Sequence, residues 1–370
     1  MKIETAFGVR AVFPVPSTIA ADLPLRTSER AKGMLQAALN ICDRRRPSVI
    51  LGDVDVEKLE ALVTDCRVLS AHHAEHGAVN HLLSEDEQTF DRFFGIGRCS
   101  SADAFAIGTA WGLIAMLHEI RRPHSLIPAE LSDLVSGFYR LAESFLPAMS
   151  GPHEFVVNTG NKAPDPPLHQ PPIVRWKNGH LSFVALTCGL IFAHVRAIAA
   201  IERRNAAEAN TALRDASCLF SASAAAMHLA GDMTPDDYDE VRGLMSPPNM
   251  PEGFSGLFNA DHRQMLNVTK KLGSLLHQEW KEIAWAREEY WRTLNDAYCA
   301  HRWVCQRLVK EAPSLATASR ALEQPAPEKL EGFARRALLF SGFAKLTPDG
   351  LTPARRRTDL NSTNRERKDV

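Results

Sequence analysis

Helix signals follow one another along most of this chain, and they constrain the fold more than any other feature. Ser28 is a capping residue that opens the segment 28–42, whose apolar side chains recur at helical spacing. Asp55 begins a second segment with one apolar stripe, and Ser84 and Glu87 form a capping box ahead of a third. Further helices are predicted over roughly 101–121, 128–148, 181–203, 206–230 and 235–245. The pattern predicts an all-α fold in a single large helical domain.

Two long segments rich in proline and glycine, residues 149–180 and 246–258, interrupt the helices. Loops of this length in compact domains usually serve a function or are disordered. We expect 246–258 to shape one wall of a pocket, and 149–180 to form a lid, a subunit contact or a surface excursion. Because no linker divides the chain, residues 1–350 are predicted to form the helical domain. Residues 351–370 are polar and basic, which predicts a disordered tail.

The composition is that of an ordinary soluble protein. A formal net charge of −1 gives no electrostatic reason to expect binding to nucleic acid or to an anionic membrane. The N-terminus lacks the apolar core of a signal peptide, and no run approaches the ~18 apolar residues of a membrane span. The seven cysteines are widely spaced and odd in number, which favours free thiols in a reducing, cytoplasmic environment.

A histidine and a cysteine stand four positions apart towards the C-terminal end of the helical region. His301 and Cys305 lie in a stretch without proline or glycine, residues 294–310, so a helix is predicted there. Residues at i and i+4 share one face of a helix, about 6 Å apart along its axis. The imidazole and the thiol are therefore aimed at the same region. They could hold a metal ion together, or a haem whose iron takes the imidazole while a vinyl group reaches the sulfur.

His262 lies upstream of this pair, with 38 residues between it and His301. The pattern His262-x38-His301-x3-Cys305 resembles the haem-attachment motif of the 3-methyl-L-tyrosine hydroxylases of saframycin biosynthesis, which are helical haem-dependent aromatic oxygenases loosely akin to tryptophan dioxygenases. The resemblance implies that His262 and His301 are axial ligands of a haem iron. It also implies that Cys305 attaches the haem covalently through one thioether, although the usual Cys-x-x-Cys-His signature of covalent haem is absent from the sequence.

The same resemblance implies the reaction. The substrate would be an L-tyrosine derivative, 3-methyl-L-tyrosine, hydroxylated ortho to its phenol to give 3-hydroxy-5-methyl-L-tyrosine in antibiotic biosynthesis. The oxidant is left open between hydrogen peroxide and dioxygen with a reductant. An arginine is expected to bind the substrate carboxylate, and others could bind haem propionates. The candidates near the motif are Arg263, Arg287, Arg292 and Arg302.

The spacing of the two histidines raises a geometric problem. A single straight helix from residue 262 to residue 301 would hold its ends about 58 Å apart. Two axial imidazoles need their ligating atoms about 4 Å apart, so the chain must reverse between them, or His262 must serve the haem of another subunit in a homo-oligomer. Gly273 and Ser274 are the only conventional breakers in the interval. His262 follows a Gly/Pro-rich loop and His301 is one turn from the tether, so His262 is predicted to be the labile ligand.

A rival site lies at His72 and His76, which share one face of the second predicted helix, with Glu75 as a further donor. The spacing is not the His-Glu-x-x-His motif of metalloproteases. The two histidines could form a polar helix face, hold the metal of a non-haem oxygenase, or place His76 opposite a haem as an acid/base group. The remaining alternative is a non-enzymatic helical interaction protein in which the His/Cys spacing is coincidental.

Two further patterns have structural interpretations. Gly95-Ile96-Gly97 starts like a dinucleotide fingerprint but lacks the third glycine and a preceding strand, so a turn before a helix at Ser101 is predicted. Four of the six tryptophans crowd into the segment around the His/Cys pair, where they either pack in the core or line a flat aromatic cofactor. These are Trp280, Trp285, Trp291 and Trp303.

Overall fold

Helices dominate the architecture, and the predicted all-α class is confirmed. The computed structural model describes residues 10–41, 48–50, 56–77, 79–146, 156–158, 171–256, 259–278 and 280–309. The α-helices in these ranges are α1 (Leu23–Arg26), α2 (Glu29–Ile41), α3 (Val56–Gly77), α4 (Glu85–Phe94), α5 (Asp103–Ile120), α6 (Pro128–Glu143), α7 (Pro172–Glu202), α8 (Ala206–Ala230), α9 (Pro235–Leu244), α10 (Ala260–Leu276) and α11 (Ala284–Leu308). Short 3₁₀ segments occupy Pro16–Thr18, Asn80–Leu82 and Lys281–Ile283.

Local capping signals explain where several helices begin. The Ser28 hydroxyl accepts a hydrogen bond from the Ala31 backbone N–H at 3.3 Å, at the start of α2. Ser84 and Glu87 form the predicted reciprocal capping box before α4. Thr234 caps α9, which has proline at its first position. These starts agree closely with the predicted ones, because each signal acts within a single helical turn.

Helix α7 is the central element of the bundle. It packs against α5, α8 and α10, and α8 packs in turn against α6 and α11. Gly179 permits the close approach of α7 and α8, since a Cβ there would lie 2.3 Å from the Cβ of Ala230. By length and composition α7 could cross a membrane, with a mean hydropathy of 1.9 in its most apolar window, yet 83% of that window is buried inside the protein. The expectation that no apolar run approaches the length of a membrane span did not anticipate α7. Because most of this run is buried inside the protein, α7 is a core helix.

Two short parallel strand pairs accompany the helices. β1 (Ala11–Pro14) and β2 (Ser48–Ile50) pair respectively with β3 (Ile96–Cys99) and β4 (Val156–Asn158). The sequence pattern predicts a turn where β3 lies, and that prediction was wrong. Gly95 ends α4 with a positive φ of 71°, and the strand follows at once. A four-residue strand whose partner is distant in the chain carries too little periodicity to be recognised locally.

The helix boundaries near the predicted loops also differ from expectation. α7 begins at Pro172 rather than near residue 181, because proline is tolerated in the first turn of a helix. The described residues 246–256 form turns that lead towards α10. Most of 147–170, and the predicted tail 351–370, lie outside the described residues.

Candidate functional site

The chain reverses between His262 and His301. α10 ends at Leu276, and a turn and a 3₁₀ segment precede α11. Arg287 on α11 holds this reversal, because its Nη1 donates a hydrogen bond to the Leu276 backbone carbonyl at 3.2 Å. Gly273, one of the expected breakers, stays buried inside α10. A single chain therefore brings both histidines to one place, and a second subunit is not needed for this.

Both histidines line one cavity between α7, α8, α10 and α11. The cavity is partly open to solvent and has a volume of about 50 Å³, which is smaller than the roughly 300–1,000 Å³ of typical small-molecule sites. Its apolar lining residues include Phe183, Leu190, Phe220, Met227, Met265 and Leu294. Its polar lining residues, besides the histidines, are Thr187, Ser223 and Tyr298. A largely apolar cavity with two imidazoles suits a hydrophobic ligand that carries a metal.

The imidazoles of His262 and His301 are in the form that binds metals. Burial, with a smaller contribution from the nearby His262, lowers the pKa of His301 to about 4. Burial also lowers the pKa of His262. Both rings are therefore neutral near pH 7, and a neutral imidazole has an unprotonated nitrogen whose lone pair can bind a metal ion.

Cys305 lies one helical turn beyond His301 on α11, as the sequence predicts. It is a free, partly exposed cysteine, and burial of its sulfur raises the pKa of the thiol to about 11. The thiol is therefore protonated at neutral pH. Cys305 is not among the residues that line the cavity, so it stands beside the site rather than within it.

A buried ion-pair cluster anchors the start of α10, directly before His262. The fully buried Arg98 on β3 donates to Asp261 through Nη1 at 2.9 Å and Nη2 at 2.6 Å. It also donates to Asp91 through Nε and Nη2, both at 2.8 Å, and to the Pro14 backbone carbonyl at 3.1 Å. All the N–H groups of the guanidinium thus have acceptors. The cluster fixes the backbone position from which the His262 side chain projects.

The backbone of His262 is held directly as well. Its N–H donates a hydrogen bond at 3.0 Å to the side chain of Asn259, which caps α10. The prediction that His262 is the labile ligand rests on the loop that precedes it and on the absence of a covalent tether like the one expected beside His301. His262 occupies the first turn of an anchored helix, so its backbone does not have the freedom of a loop. The lability itself stays a prediction, and it now requires rotation of the side chain instead of movement of the loop.

A third partly buried histidine, His180, lies close to His301 and was not singled out from the sequence. His180 on α7 stacks on Phe94, with ring centroids 4.3 Å apart, and packs against the Trp176 ring at 4.5 Å. Its Nδ1 lies 2.8 Å from the Trp176 carbonyl oxygen, so this nitrogen carries the proton. Burial lowers the pKa of His180 to about 4, and His301 contributes to the shift. No motif in the sequence marks His180, because its proximity to His301 arises from helix packing.

A fully buried histidine behind the cavity wall ties three of its helices together. His194 on α7 has its Nε2 3.1 Å from the Tyr290 hydroxyl of α11 and its Nδ1 3.5 Å from the Thr269 hydroxyl of α10. Burial lowers the pKa of His194 to about 3, so the ring is neutral. A neutral imidazole offers one donor and one acceptor, which two hydroxyl groups can satisfy. This arrangement could not be predicted, because His194, Thr269 and Tyr290 are distant from one another in the chain.

The rival histidines lie on α3, which contributes none of the cavity-lining residues. α3 packs against α2, α5 and both strands of the β1–β3 pair. His72 is exposed, and the His76 side chain lies outside the described residues. In the part of the chain that the structure describes, no three His, Cys, Asp or Glu side chains are grouped closely enough to hold a metal ion. A metal site or an acid/base role at His76 stays a prediction.

The four clustered tryptophans do not line the cavity, and two of the candidate arginines already have ion-pair partners. None of the four tryptophans lines the cavity: Trp291 is buried in the core, for example, and Trp285 is 63% exposed. Arg263 forms an ion pair with the buried Glu87 of α4. Arg292 is paired with neighbouring carboxylates on its own helix. These two arginines therefore already have counter-charges within the protein.

Comparison with known proteins identifies the family. A family model described as SfmD 3-methyl-L-tyrosine peroxygenase matches residues 16–289, about three quarters of the chain. The matched segment includes His262 and ends before His301 and Cys305. A 3-methyl-L-tyrosine peroxygenase of Streptomyces lavendulae is 30% identical over 244 residues, which cover 64% of this chain and 66% of the relative, slightly less than two thirds of its length.

A solved structure shares the fold. The crystal structure of reduced SfmD, obtained by soaking with sodium hydrosulfite, has a TM-score of 0.60 with this chain at 20% sequence identity. The similarity covers 81% of this chain and 98% of that one, and it concerns the fold alone. The family model matches most of the sequence, and this match shows that the chain belongs to the SfmD 3-methyl-L-tyrosine peroxygenase family.

Proposed function

We propose that this protein is a haem-dependent peroxygenase that inserts one oxygen atom into the ring of an L-tyrosine derivative. The observation that carries the proposal is the pair of partly buried, neutral imidazoles, His262 and His301, at one largely apolar cavity. Membership of the peroxygenase family supports an oxidative reaction. The substrate we assign is 3-methyl-L-tyrosine, the compound in the name of the relative.

The proposed reaction balances without a further reductant. The aromatic C–H ortho to the phenol and hydrogen peroxide give a ring C–OH and water, so the product is 3-hydroxy-5-methyl-L-tyrosine. Dioxygen would serve instead only with two electrons from an added reductant. We place this reaction in the cytoplasm and in antibiotic biosynthesis; the six described cysteines are all free, which is compatible with a reducing compartment.

The residues at the cavity fit a haem. Histidine is a common axial ligand of haem iron, and the apolar walls match the hydrophobic faces of a porphyrin. His301 and His262 would hold the iron, and Cys305 would form a thioether with a vinyl group. That bond adds S–H across the vinyl C=C, so no atom is lost. Burial keeps the Cys305 sulfur protonated until it reacts, since it raises the pKa of the thiol.

Bound haem supplies the oxygen-transfer chemistry, and the protein supplies orientation and exclusion of water. Phe183 on α7 and Phe220 on α8 line the cavity and contribute to its apolar walls. If both imidazoles held the iron, one of them would have to be displaceable for peroxide to reach it. We assign this role to His262, because its side chain can rotate while Asp261 keeps the backbone fixed. His301 is one turn from the proposed tether and is the permanent ligand.

The test is an absorption spectrum of the purified protein, followed by product analysis with 3-methyl-L-tyrosine and hydrogen peroxide. We expect a haem spectrum, and hydroxylation of 3-methyl-L-tyrosine faster than that of L-tyrosine. A parallel reaction with dioxygen and a reductant identifies the oxidant. A colourless protein that contains iron would favour the non-haem site at His72 and His76. A colourless, metal-free protein would favour an interaction protein instead.

A further inference from the structure

Lys177 on α7 is a buried cation with no counter-charge among the described residues. It is only 2% exposed, and within the described ranges its Nζ has no hydrogen-bond partner. Desolvation is the one effect that the described part of the chain has on its pKa, and no described carboxylate contributes to it. The Nζ lies 5.0 Å from the centroid of the Phe93 ring, over its face. A cation–π contact offsets only part of the cost of burying an ammonium group, and an unpaired buried lysine is rare in native proteins.

The ammonium is also charged at physiological pH. Burial lowers the pKa of Lys177 to about 8, which leaves most molecules protonated at pH 7. The residue before it, Trp176, has a buried indole N–H that likewise has no acceptor. Two adjacent residues thus present buried donors, one of them cationic, without any acceptor from the described part of the protein. A ligand that brings a negative charge would satisfy this requirement.

The position of Lys177 connects it to the proposed haem site. It stands one turn before His180 on the same helix. Phe93, which lies against its Nζ, packs on Phe94 with ring centroids 4.9 Å apart, and Phe94 stacks on His180. His180 is close enough to His301 for their charges to interact. The contacting rings of Phe93, Phe94 and His180 therefore lie between the Lys177 ammonium group and the surroundings of the proposed iron ligand His301.

We propose that Lys177, which lies on α7 beyond the residues that line the cavity, binds a carboxylate group of a molecule that occupies the cavity and extends past it. This inference rests on the proposed function for the identity of that molecule, which is the haem, through a propionate, or the tyrosine derivative, through its α-carboxylate. Both pair an apolar ring with a terminal carboxylate. Arg263 and Arg292, two of the arginines expected to bind this group, are already paired within the protein. Lys177, in contrast, has no such counter-charge among the described residues.

The experiment compares each acid with its ester in the wild type and in Lys177→Met, which removes the charge and keeps a long apolar stem. The probe pairs are haem with haem dimethyl ester, both measured in a Cys305→Ala background so that binding stays reversible, and 3-methyl-L-tyrosine with its methyl ester. Lys177→Arg tests whether another cation restores the preference. Lys271→Met is the control, because Lys271 is exposed and paired with Glu202. Circular dichroism and thermal unfolding establish that each variant is folded, and Lys177→Gln replaces the methionine variant if that one is not.

We expect the wild type to bind the acid at least about tenfold more tightly than the ester in one of the pairs. Lys177→Met should reduce that ratio to within about twofold, and its ligand-free form should unfold at a higher temperature, because an unpaired buried charge has been removed. The pair that responds identifies the source of the carboxylate. Equal acid-to-ester ratios in the wild type and Lys177→Met, for both pairs, overturn the inference. Absence of haem binding by the wild type refutes the proposed function instead, while the tyrosine pair still decides the role of Lys177.

Discussion

Replacing Arg98 with methionine should destabilise the protein by about 3–5 kcal/mol, the usual cost of breaking a buried ion pair by removing one partner. Arg98 is completely buried and donates five hydrogen bonds, four of them to carboxylate oxygens of Asp91 and Asp261. Methionine can fill much of the volume but supplies no donor. Two buried carboxylates and the Pro14 carbonyl would then lose their partner together. The loss is a large fraction of the 5–15 kcal/mol by which proteins are usually stable.

Urea unfolding followed by circular dichroism measures this effect. The matched control is Arg140→Met, since Arg140 is 49% exposed and its ion pairs with Asp215 and Glu143 are 3.5 and 3.6 Å long. An exposed pair of this kind contributes about 1 kcal/mol or less. A destabilisation below about 1 kcal/mol in Arg98→Met, equal to that of the control, would refute the view that this cluster anchors α10.

The pH dependence of Arg98→Met provides an independent check. Burial raises the pKa of Asp91 in the native protein, even though Arg98 acts in the opposite direction. Without Arg98 that pKa should rise further. A carboxyl group with a higher pKa in the folded state than in the unfolded state stabilises the fold less as pH rises, because the unfolded chain releases the proton first. The deficit relative to wild type should therefore be larger at pH 8 than at pH 5.

Three further predictions concern the site and the helix packing. In the wild type the haem should resist acid–acetone extraction, and in Cys305→Ala it should remain bound but become extractable; free extraction from the wild type would exclude the thioether. His262→Ala should retain haem with a spectrum shifted towards an open or water-bound iron, whereas His301→Ala should lose most of its haem; equal losses would contradict the assignment of His262 as the labile ligand. Gly179→Ala should lower stability by about 1–3 kcal/mol, because its Cβ would overlap the facing helix α8, whereas Gly33→Ala, with nothing within 4 Å, should raise it by up to about 1 kcal/mol in the same unfolding assay.

The helical class and several helix starts were predictable because their signals are local. Ser84 with Glu87, and Thr234 with the proline that follows it, specify helix starts within a few residues. The strand at residues 96–99 was not predictable in this way, since its partner, residues 11–14, is far away in the chain. The early start of α7 was missed because a pair of prolines resembles a loop until the following apolar run is considered.

The site was predictable only in part. Spacing and resemblance pointed to His262, His301 and Cys305, and the fold brings the two histidines to one cavity. The other walls come from α7 and α8, whose lining residues have no motif, because their proximity to the histidines arises from helix packing. Lys177 shows why sequence reasoning stops here. The lack of a described counter-charge around its ammonium group arises from how the helices pack, and the local sequence, a lysine near a glycine and two polar residues, contains no signal of it.

The Arg98–Asp261 contact joins residues 163 positions apart, and this separation sets an order of events during synthesis. A ribosome that adds roughly 5–20 residues per second produces Arg98 about 8–33 s before Asp261. Asp91, only seven positions away, is available from the start as a provisional partner for the guanidinium. Both proposed iron ligands appear only after that interval, on the last two described helices. The apolar helices α5, α7 and α8 thus exist before either imidazole does, so haem can join the protein only once the body of the bundle has been made.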